Sequence, residues 1–202
     1  MTRDEAVKFL IEQPYKLAHL IGFTKLTEIH NKWIIDMVRG RDDRTLQAHR
    51  ASYKTTCVSI ALSLIVVLMP RLRTMFMRKT DSDIKEVIRQ VRKILESQQM
   101  RYFVQTIYGV QLQLITATAN ELSTNLTNDP RGTAQLTGLG TGGSITGKHY
   151  DRIFTDDIVN VQDRVSKAER DRTKIIYQEL RNIVNRGGRI YNTGTPWHVD
   201  DA

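Results

Sequence analysis

The segment from Thr56 to Met69 (TCVSIALSLIVVLM) constrains the fold most strongly, because nearly every position in it is apolar. A membrane-spanning helix needs about 20 apolar residues to cross about 30 Å of hydrocarbon, and this run is shorter. An apolar helix without a polar face must instead be buried on all sides. The segment therefore predicts a helix enclosed in a layered α/β core and argues against a membrane span.

Short apolar strands and helices alternate along the rest of the chain. Thr80 and Asp83 have the spacing of a helix cap, and the next helix has one apolar stripe, formed by Ile84, Val87, Val91, Ile94 and Leu95. The candidate strands are residues 44–48, 74–77, 111–115, 152–156 and 190–193. This alternation predicts a three-layer α/β fold with a mainly parallel central sheet.

A further helix is predicted over about residues 163–185, and two glycine-containing segments are predicted as connections. The apolar face of this helix is formed by Val165, Ala168, Ile176, Leu180 and Ile183. The segment Arg186–Arg189 is typical of a glycine C-cap that ends a helix. The segment from Gly138 to Gly147 favours a loop or hairpin over a phosphate site, because no Lys-Thr pair follows it.

Residues 1–40 are predicted to form a helical segment packed on a core made of residues 41–202. Thr2 and Glu5 have the spacing of a capping box, and Pro14 interrupts the helical pattern. The next helix has an apolar stripe formed by Leu26, Ile29, Trp33 and Met37.

Composition favours a polyanionic partner and a reducing compartment. The chain has 30 Lys and Arg against 22 Asp and Glu, which gives a net charge of +8. Cys57 is the single cysteine, which excludes an internal disulfide, and its apolar surroundings predict a buried thiol. The five histidines show no ligand spacing, and the charged N-terminus shows no secretory signal.

A Lys-Thr pair, Lys54-Thr55, opens the apolar helix directly after the first candidate strand. A phosphate loop uses such a Lys for the phosphates and the hydroxyl for Mg²⁺, with backbone N–H groups around the anion. The usual G-x-x-x-x-G-K-[ST] spacing, however, places Ala48 and Tyr53 where glycines are expected. Two interpretations stay open for this segment alone: a variant phosphate loop, or polar residues that cap a buried helix.

The strand Ile153-Phe154-Thr155 ends in two adjacent acids, Asp156 and Asp157, and Thr193-Gly194-Thr195 follows after one helix. Carboxylates at the end of a buried strand can hold Mg²⁺ and activate a water for phosphoryl transfer. An acid pair can also simply cap the next turn. The presence of the Lys-Thr pair, the acids and the last motif in this order favours an ATP hydrolase.

These three motifs together resemble the ATPase domain of tailed-bacteriophage large terminases, which are DNA-packaging motors. The resemblance covers roughly residues 20–200 and implies a P-loop NTPase fold of the ASCE type, with Walker A and Walker B motifs. It implies that Lys54 binds the β- and γ-phosphates, that Thr55 binds Mg²⁺, and that Arg50 senses the γ-phosphate. The nucleotide-binding segment would be Arg50, Ala51, Ser52, Tyr53, Lys54, Thr55 and Thr56.

By the same resemblance, Asp156 would bind the metal, Asp157 would be the catalytic acid residue, and Thr193, Gly194 and Thr195 would couple hydrolysis to motion. Residues 23–33 would lie near adenine; they include Phe23, His30 and Trp33, although Trp33 fits a core stripe equally well. The family also supplies an arginine from a neighbouring subunit. The candidates for a basic residue in that role are Arg78, Arg131, Lys148 and Arg152.

The resemblance implies ATP and Mg²⁺ as ligands, and double-stranded DNA, the portal protein and the small terminase subunit as partners. It also implies a homo-oligomeric ring on the procapsid portal in the host cytoplasm. Because the chain stops just past the last motif, we expect an ATPase domain without the family's nuclease domain. Two alternatives stay open: a helicase-like ATPase, or a degenerate nucleotide fold that acts as a DNA-binding or assembly module.

Overall fold

A computed structural model describes residues 1–127, 132–145 and 147–195 of the protein. Within these ranges, seven strands form one mixed sheet: β1 (Arg44–Gln47), β2 (Thr74–Arg78), β3 (Leu114–Ala117), β4 (Glu121–Thr124), β5 (Leu136–Gly140), β6 (Tyr150–Asp156) and β7 (Val184–Gly194). Their order is β1-β7-β6-β2-β5-β4-β3. The first five strands in this order are parallel, whereas β4 and β3 are antiparallel to their neighbours.

Helices pack on both faces of this sheet. They are α1 (Arg3–Glu12), α2 (Pro14–Ile21), α3 (Glu28–Arg39), α4 (Lys54–Leu68), α5 (Asp81–Glu96), α6 (Gln98–Tyr108), α7 (Val161–Val165) and α8 (Lys167–Ile183). Successive residues of a strand point to opposite faces, so Phe76 of β2 joins the apolar cluster of α1 to α6, whereas Met75 and Met77 join a second cluster with α8. The α/β fold with a mostly parallel sheet is as expected, and it is compatible with three layers.

The apolar helix α4 is buried along almost its whole length, from Cys57 to Val67. It begins at Lys54 and ends at Leu68, shortly before Pro70, as the sequence predicts. Across the ranges that the structure describes, no helix is both long and apolar enough to cross a membrane.

The N-terminal residues form three helices whose apolar faces belong to the same core cluster as α4. The capping box of Thr2 and Glu5 is present, and α2 begins at Pro14. The predicted stripe of α3 is partly wrong, because Ile29 is 53% exposed. The buried positions of α3 include Ile34 and Met37, so the buried face is rotated toward α4.

The middle of the chain departs from the predicted elements. Residues 98–108 form helix α6, which was not predicted, and β3 begins at Leu114 rather than at residue 111. The predicted loop from Gly138 to Gly147 is wrong at its start, because residues 138–140 belong to β5. A Cβ atom at Gly138 would lie 2.3 Å from the Ile84 side chain, so close packing of α5 explains this glycine.

The predicted helix over residues 163–185 is in fact two helices that meet at Ser166, whose side chain caps α8. Val165 and Ala168 are consequently exposed rather than part of the apolar face. The predicted glycine C-cap is also wrong. Strand β7 begins directly at Val184, and Gly187, with φ of 78°, lies where the register between β6 and β7 shifts.

Candidate functional site

The motifs singled out in the sequence meet at the carboxyl ends of the parallel strands. A cavity of about 510 Å³ opens there, lined by residues 50–56 after β1, Arg78 and Lys79 at the end of β2, Asp157 after β6 and Thr195 after β7. Because β7 lies between β1 and β6, the strand that carries Thr193 and Gly194 lies between the strand before the Lys-Thr pair and the strand that ends in the acid pair. The distances between these side chains determine which ligands the cavity can bind.

The loop before α4 has a left-handed backbone at two positions that are not glycine. Ala51 has φ of 61° and Tyr53, the N-cap of α4, has φ of 58°. A left-handed conformation costs roughly 1–2 kcal/mol for a residue with a Cβ atom. The chain thus adopts, without the usual glycines, a backbone conformation that glycine normally provides.

Lys54 is buried at the start of α4 and bridges the loop to the last strand. Its ammonium group donates hydrogen bonds to the carbonyl oxygens of Ala48 (3.0 Å) and His49 (3.2 Å) and to Oγ1 of Thr195 (3.0 Å). Within the described part of the chain its hydrogen-bond acceptors are all neutral, although its charge also acts on Asp157 in the same cavity. A buried cation whose hydrogen bonds all go to neutral acceptors is suited to receive an anion.

Asp156 is completely buried and accepts hydrogen bonds from two of the motif residues. Thr55 Oγ1 donates to its Oδ2 atom at 2.7 Å, and Thr193 Oγ1 donates to its Oδ1 atom at 2.6 Å. A hydroxyl and a carboxylate are the hard oxygen ligands that Mg²⁺ takes from proteins, together with substrate phosphates and waters. The pair fits a magnesium ion. Nowhere in the described ranges do three or more His, Cys, Asp or Glu side chains cluster as a metal site.

Asp157 lies just beyond the end of β6, with φ of 44°, and its backbone N–H donates to the Thr193 carbonyl at 3.0 Å. This turn directs its side chain toward the cavity, whereas that of Asp156 faces Thr55. Burial, and then the adjacent charge of Asp156, raise the pKa of the Asp157 carboxyl group. Among the residues that the structure describes, none forms a hydrogen bond with its buried Oδ1 atom. The group is therefore a more basic carboxylate than usual, placed at the cavity wall.

Arg78 contacts both acids from within the same chain. Its Nε atom lies 3.3 Å from Asp156 Oδ2, and its Nη2 atom lies 3.7 Å from Asp157 Oδ2. From the sequence, Arg78 was expected only as a candidate for an arginine that acts on a neighbouring subunit. The sequence indicated a shared edge but not the contact, because a cation that ends a buried strand lies at the same sheet edge as acids that end another parallel strand.

Two other candidates for that role do not line the cavity of this chain. Arg152 donates to the Gly40 carbonyl at 3.1 Å, and Lys148 is exposed and does not line the cavity. Arg131 lies outside the described residues. Arg50, in contrast, lines the cavity beside Lys54.

A further cavity wall was not anticipated from the sequence. Lys79, directly after β2, donates to Asp163 Oδ1 and to Thr173 Oγ1, each at 2.9 Å. Asp163 is completely buried and lies in α7, next to Val159 and Asn160 on the cavity wall. The hydrogen bond between Lys79 and Asp163 thus connects the segment after the acid pair to the end of β2.

The segment expected near adenine is only partly beside the site. A smaller cavity of about 200 Å³ is lined by residues 22–26 together with Tyr53 and Thr56, and it includes Phe23. Neither His30 nor Trp33 lines it. Their rings instead contact each other, with centroids 5.1 Å apart.

The structure thus brings together Lys54, Thr55, Asp156, Asp157 and Thr193–Thr195. The remaining residues of the last motif, Pro196, Trp197 and His198, lie outside the described residues. No protein-family model matches this chain, and no curated protein is significantly similar to it. The contacts described above are therefore the basis for assigning a function.

Proposed function

We propose that this chain is the ATPase domain of a viral DNA-packaging motor, a large terminase subunit, which hydrolyses ATP to move double-stranded DNA into a procapsid. One observation is central: Thr55, beside the buried Lys54, is hydrogen-bonded to Asp156, and Asp157 faces the same cavity. A helix N-terminus, a lysine, a hydroxyl and two acids are the components that phosphoryl transfer requires. The ASCE-type P-loop fold is part of the proposal.

Each residue would have a distinct task in this reaction. Lys54 and the loop N–H groups would bind the phosphates at the N-terminus of α4, and Arg50 would approach the γ-phosphate. Asp157, whose pKa is raised, would accept a proton from the attacking water. Thr55 and Asp156 would hold Mg²⁺, which supplies charge neutralisation when bound.

The second cavity suits the base of the nucleotide. Tyr53 and Thr56 line both cavities, so phosphates beside Lys54 would place a base toward Phe23 and residues 22–26. An aromatic ring provides the stacking surface that a nucleobase prefers. The size and position of this cavity support a nucleoside triphosphate as the substrate class.

The last motif connects the lysine and the metal-binding acid. Thr195 accepts a hydrogen bond from Lys54, and Thr193 donates one to Asp156. If phosphate release changed either hydrogen bond, the change would act directly on Thr193 in β7 or on Thr195 just after it. This geometry supports a coupling role for Thr193, Gly194 and Thr195.

DNA binding is proposed from charge. Lys85, Arg89 and Arg92 line a groove of about 190 Å³ between α5 and the turn after β3, at the sheet edge that holds the nucleotide cavity. Such cations would contact phosphates and not bases.

We expect Lys85→Glu with Arg89→Glu to lower the slope of log affinity against log salt by about 1–2, measured with duplex DNA by fluorescence anisotropy. Lys8→Glu is the control, and an equal effect there would argue against this surface.

The portal protein, the small terminase subunit, a homo-oligomeric ring and a place in the host cytoplasm complete the proposal. A degenerate nucleotide fold that only binds DNA is the second candidate, and the left-handed Ala51 and Tyr53 favour it because they strain the loop. A helicase-like ATPase would differ by preferring single strands.

Calorimetry with ATP and Mg²⁺ separates these functions. We expect the wild-type chain to bind and hydrolyse ATP, and Lys54→Ala to abolish binding while the far-UV circular dichroism is retained. Lys16→Ala, at an exposed site on α2, is the control. Absence of ATP binding by the wild-type chain would leave only the DNA-binding module.

A further inference from the structure

His30 contacts the candidate phosphate loop from the N-terminal helical segment. It is buried near the start of α3, where its Nδ1 atom accepts a hydrogen bond from the Thr27 backbone N–H at 2.9 Å. An Nδ1 atom that accepts has no proton, so the proton of the neutral ring is on Nε2. That Nε2–H donates to the carbonyl oxygen of Ser52 at 3.2 Å.

Ser52 lies between the two strained residues of the loop. Ala51 and Tyr53 both have a left-handed backbone, and the peptide unit that joins Ser52 to Tyr53 contains the carbonyl that His30 holds. The ring of Tyr53 also meets the ring of His30 edge-on, with centroids 5.9 Å apart. Left-handed residues with a Cβ atom persist only where their surroundings hold them.

We propose that His30 is a positioning residue that holds the glycine-less loop in its left-handed conformation. It fixes the Ser52 carbonyl by a hydrogen bond and the Tyr53 ring by an edge contact. The loop N–H groups are thereby oriented before a phosphate arrives. A loop with glycines at these positions would not need this hydrogen bond, because glycine adopts a positive φ without strain. The importance of this contact for nucleotide binding rests on the proposed function, whereas the contact itself does not.

Hydrogen exchange without nucleotide tests the contact. We expect His30→Ala to accelerate exchange in the peptide that covers residues 49–56, while peptides from α5 keep their wild-type rates. His30→Gln should restore protection, because its amide can accept from Thr27 and donate to Ser52. Asn31→Ala is the matched control: Asn31 is equally buried in α3, but it bonds to Glu12 and Tyr15, away from the loop.

Binding of a fluorescent ATP analogue tests the consequence. Loss of one hydrogen bond should weaken binding about 5- to 10-fold in His30→Ala, with recovery in His30→Gln. Tyr53→Gly should suppress the defect of His30→Ala, since glycine adopts a positive φ without cost. If His30 only stabilised the fold, His30→Ala would lower the thermal stability as Asn31→Ala does. Tyr53→Gly would then not restore nucleotide binding to His30→Ala.

The outcomes separate the two proposals. Unchanged exchange in residues 49–56 of His30→Ala would overturn the role of His30, whatever the nucleotide result. Faster exchange, together with a wild-type chain that binds no analogue, would retain the contact and refute the ATPase. If His30→Ala does not fold, His30→Gln and His30→Phe decide the matter, because only the former can make both hydrogen bonds. Equal exchange in these two variants would refute the proposal.

Discussion

Replacement of Thr193 by Val tests the buried contact between the last motif and Asp156. Thr193 Oγ1 donates to the completely buried Asp156 at 2.6 Å, and Val keeps the shape of the side chain without the donor. A hydrogen bond to a charged group contributes about 1.5–3 kcal/mol, and a buried acceptor left without its donor adds to the loss. We therefore expect the free energy of unfolding to fall by about 2–3 kcal/mol.

For a chain of 202 residues, this loss corresponds to a decrease in Tm of about 4–12 °C, measured by differential scanning fluorimetry with urea unfolding as a second assay. Thr74→Val is the matched control, because Thr74 is also a buried strand threonine but its hydroxyl has no hydrogen-bond partner in the described parts of the chain. Thr193→Ser should retain most of the stability. Equal Tm values for Thr193→Val and Thr74→Val would refute the hydrogen bond to Asp156.

Two predictions concern ionisable groups. Because folding raises the pKa of Asp157 above its usual 3.8, the folded state binds the proton more tightly, and stability is lost as pH rises from 3.8 through the raised value. Asp157→Asn should therefore have a larger free energy of unfolding than the wild-type chain at pH 7 but not at pH 3.5, as measured by urea unfolding at both pH values. The same difference in unfolding free energy at both pH values would contradict this prediction. Burial raises the pKa of Cys57 to about 12, so its thiol should resist iodoacetamide at pH 8 until urea unfolds the chain, as measured by mass spectrometry. Rapid alkylation of the native chain would contradict the burial of α4.

The elements that position the site were predictable because local patterns determine them. The apolar run of α4, the buried strands β2 and β6 and the Lys-Thr pair each have a signal within about 15 residues. The parallel arrangement then places the ends of the strands together. For this reason Lys54 and the acid pair could be expected at one edge of the sheet before their contacts were known.

The remaining contacts depend on partners that are distant in the sequence. Arg78 meets the acids only because β2 is next to β6, and strand order cannot be obtained from periodicity. His30 reaches Ser52 because α3 packs on α4. The break at Ser166 was missed for a different reason, since the apolar spacing continues across a capping serine that begins α8.

Steady-state ATP turnover with Mg²⁺, compared in the wild-type chain and Asp157→Asn, tests the proposed function most directly. Asn has the size of Asp but cannot accept a proton, so we expect ATP binding to persist while turnover falls about 100-fold, the contribution of a positioned general base. Asp171→Asn, at an exposed site on α8, should leave turnover unchanged. Equal turnover in Asp157→Asn and the wild-type chain would contradict the proposed function.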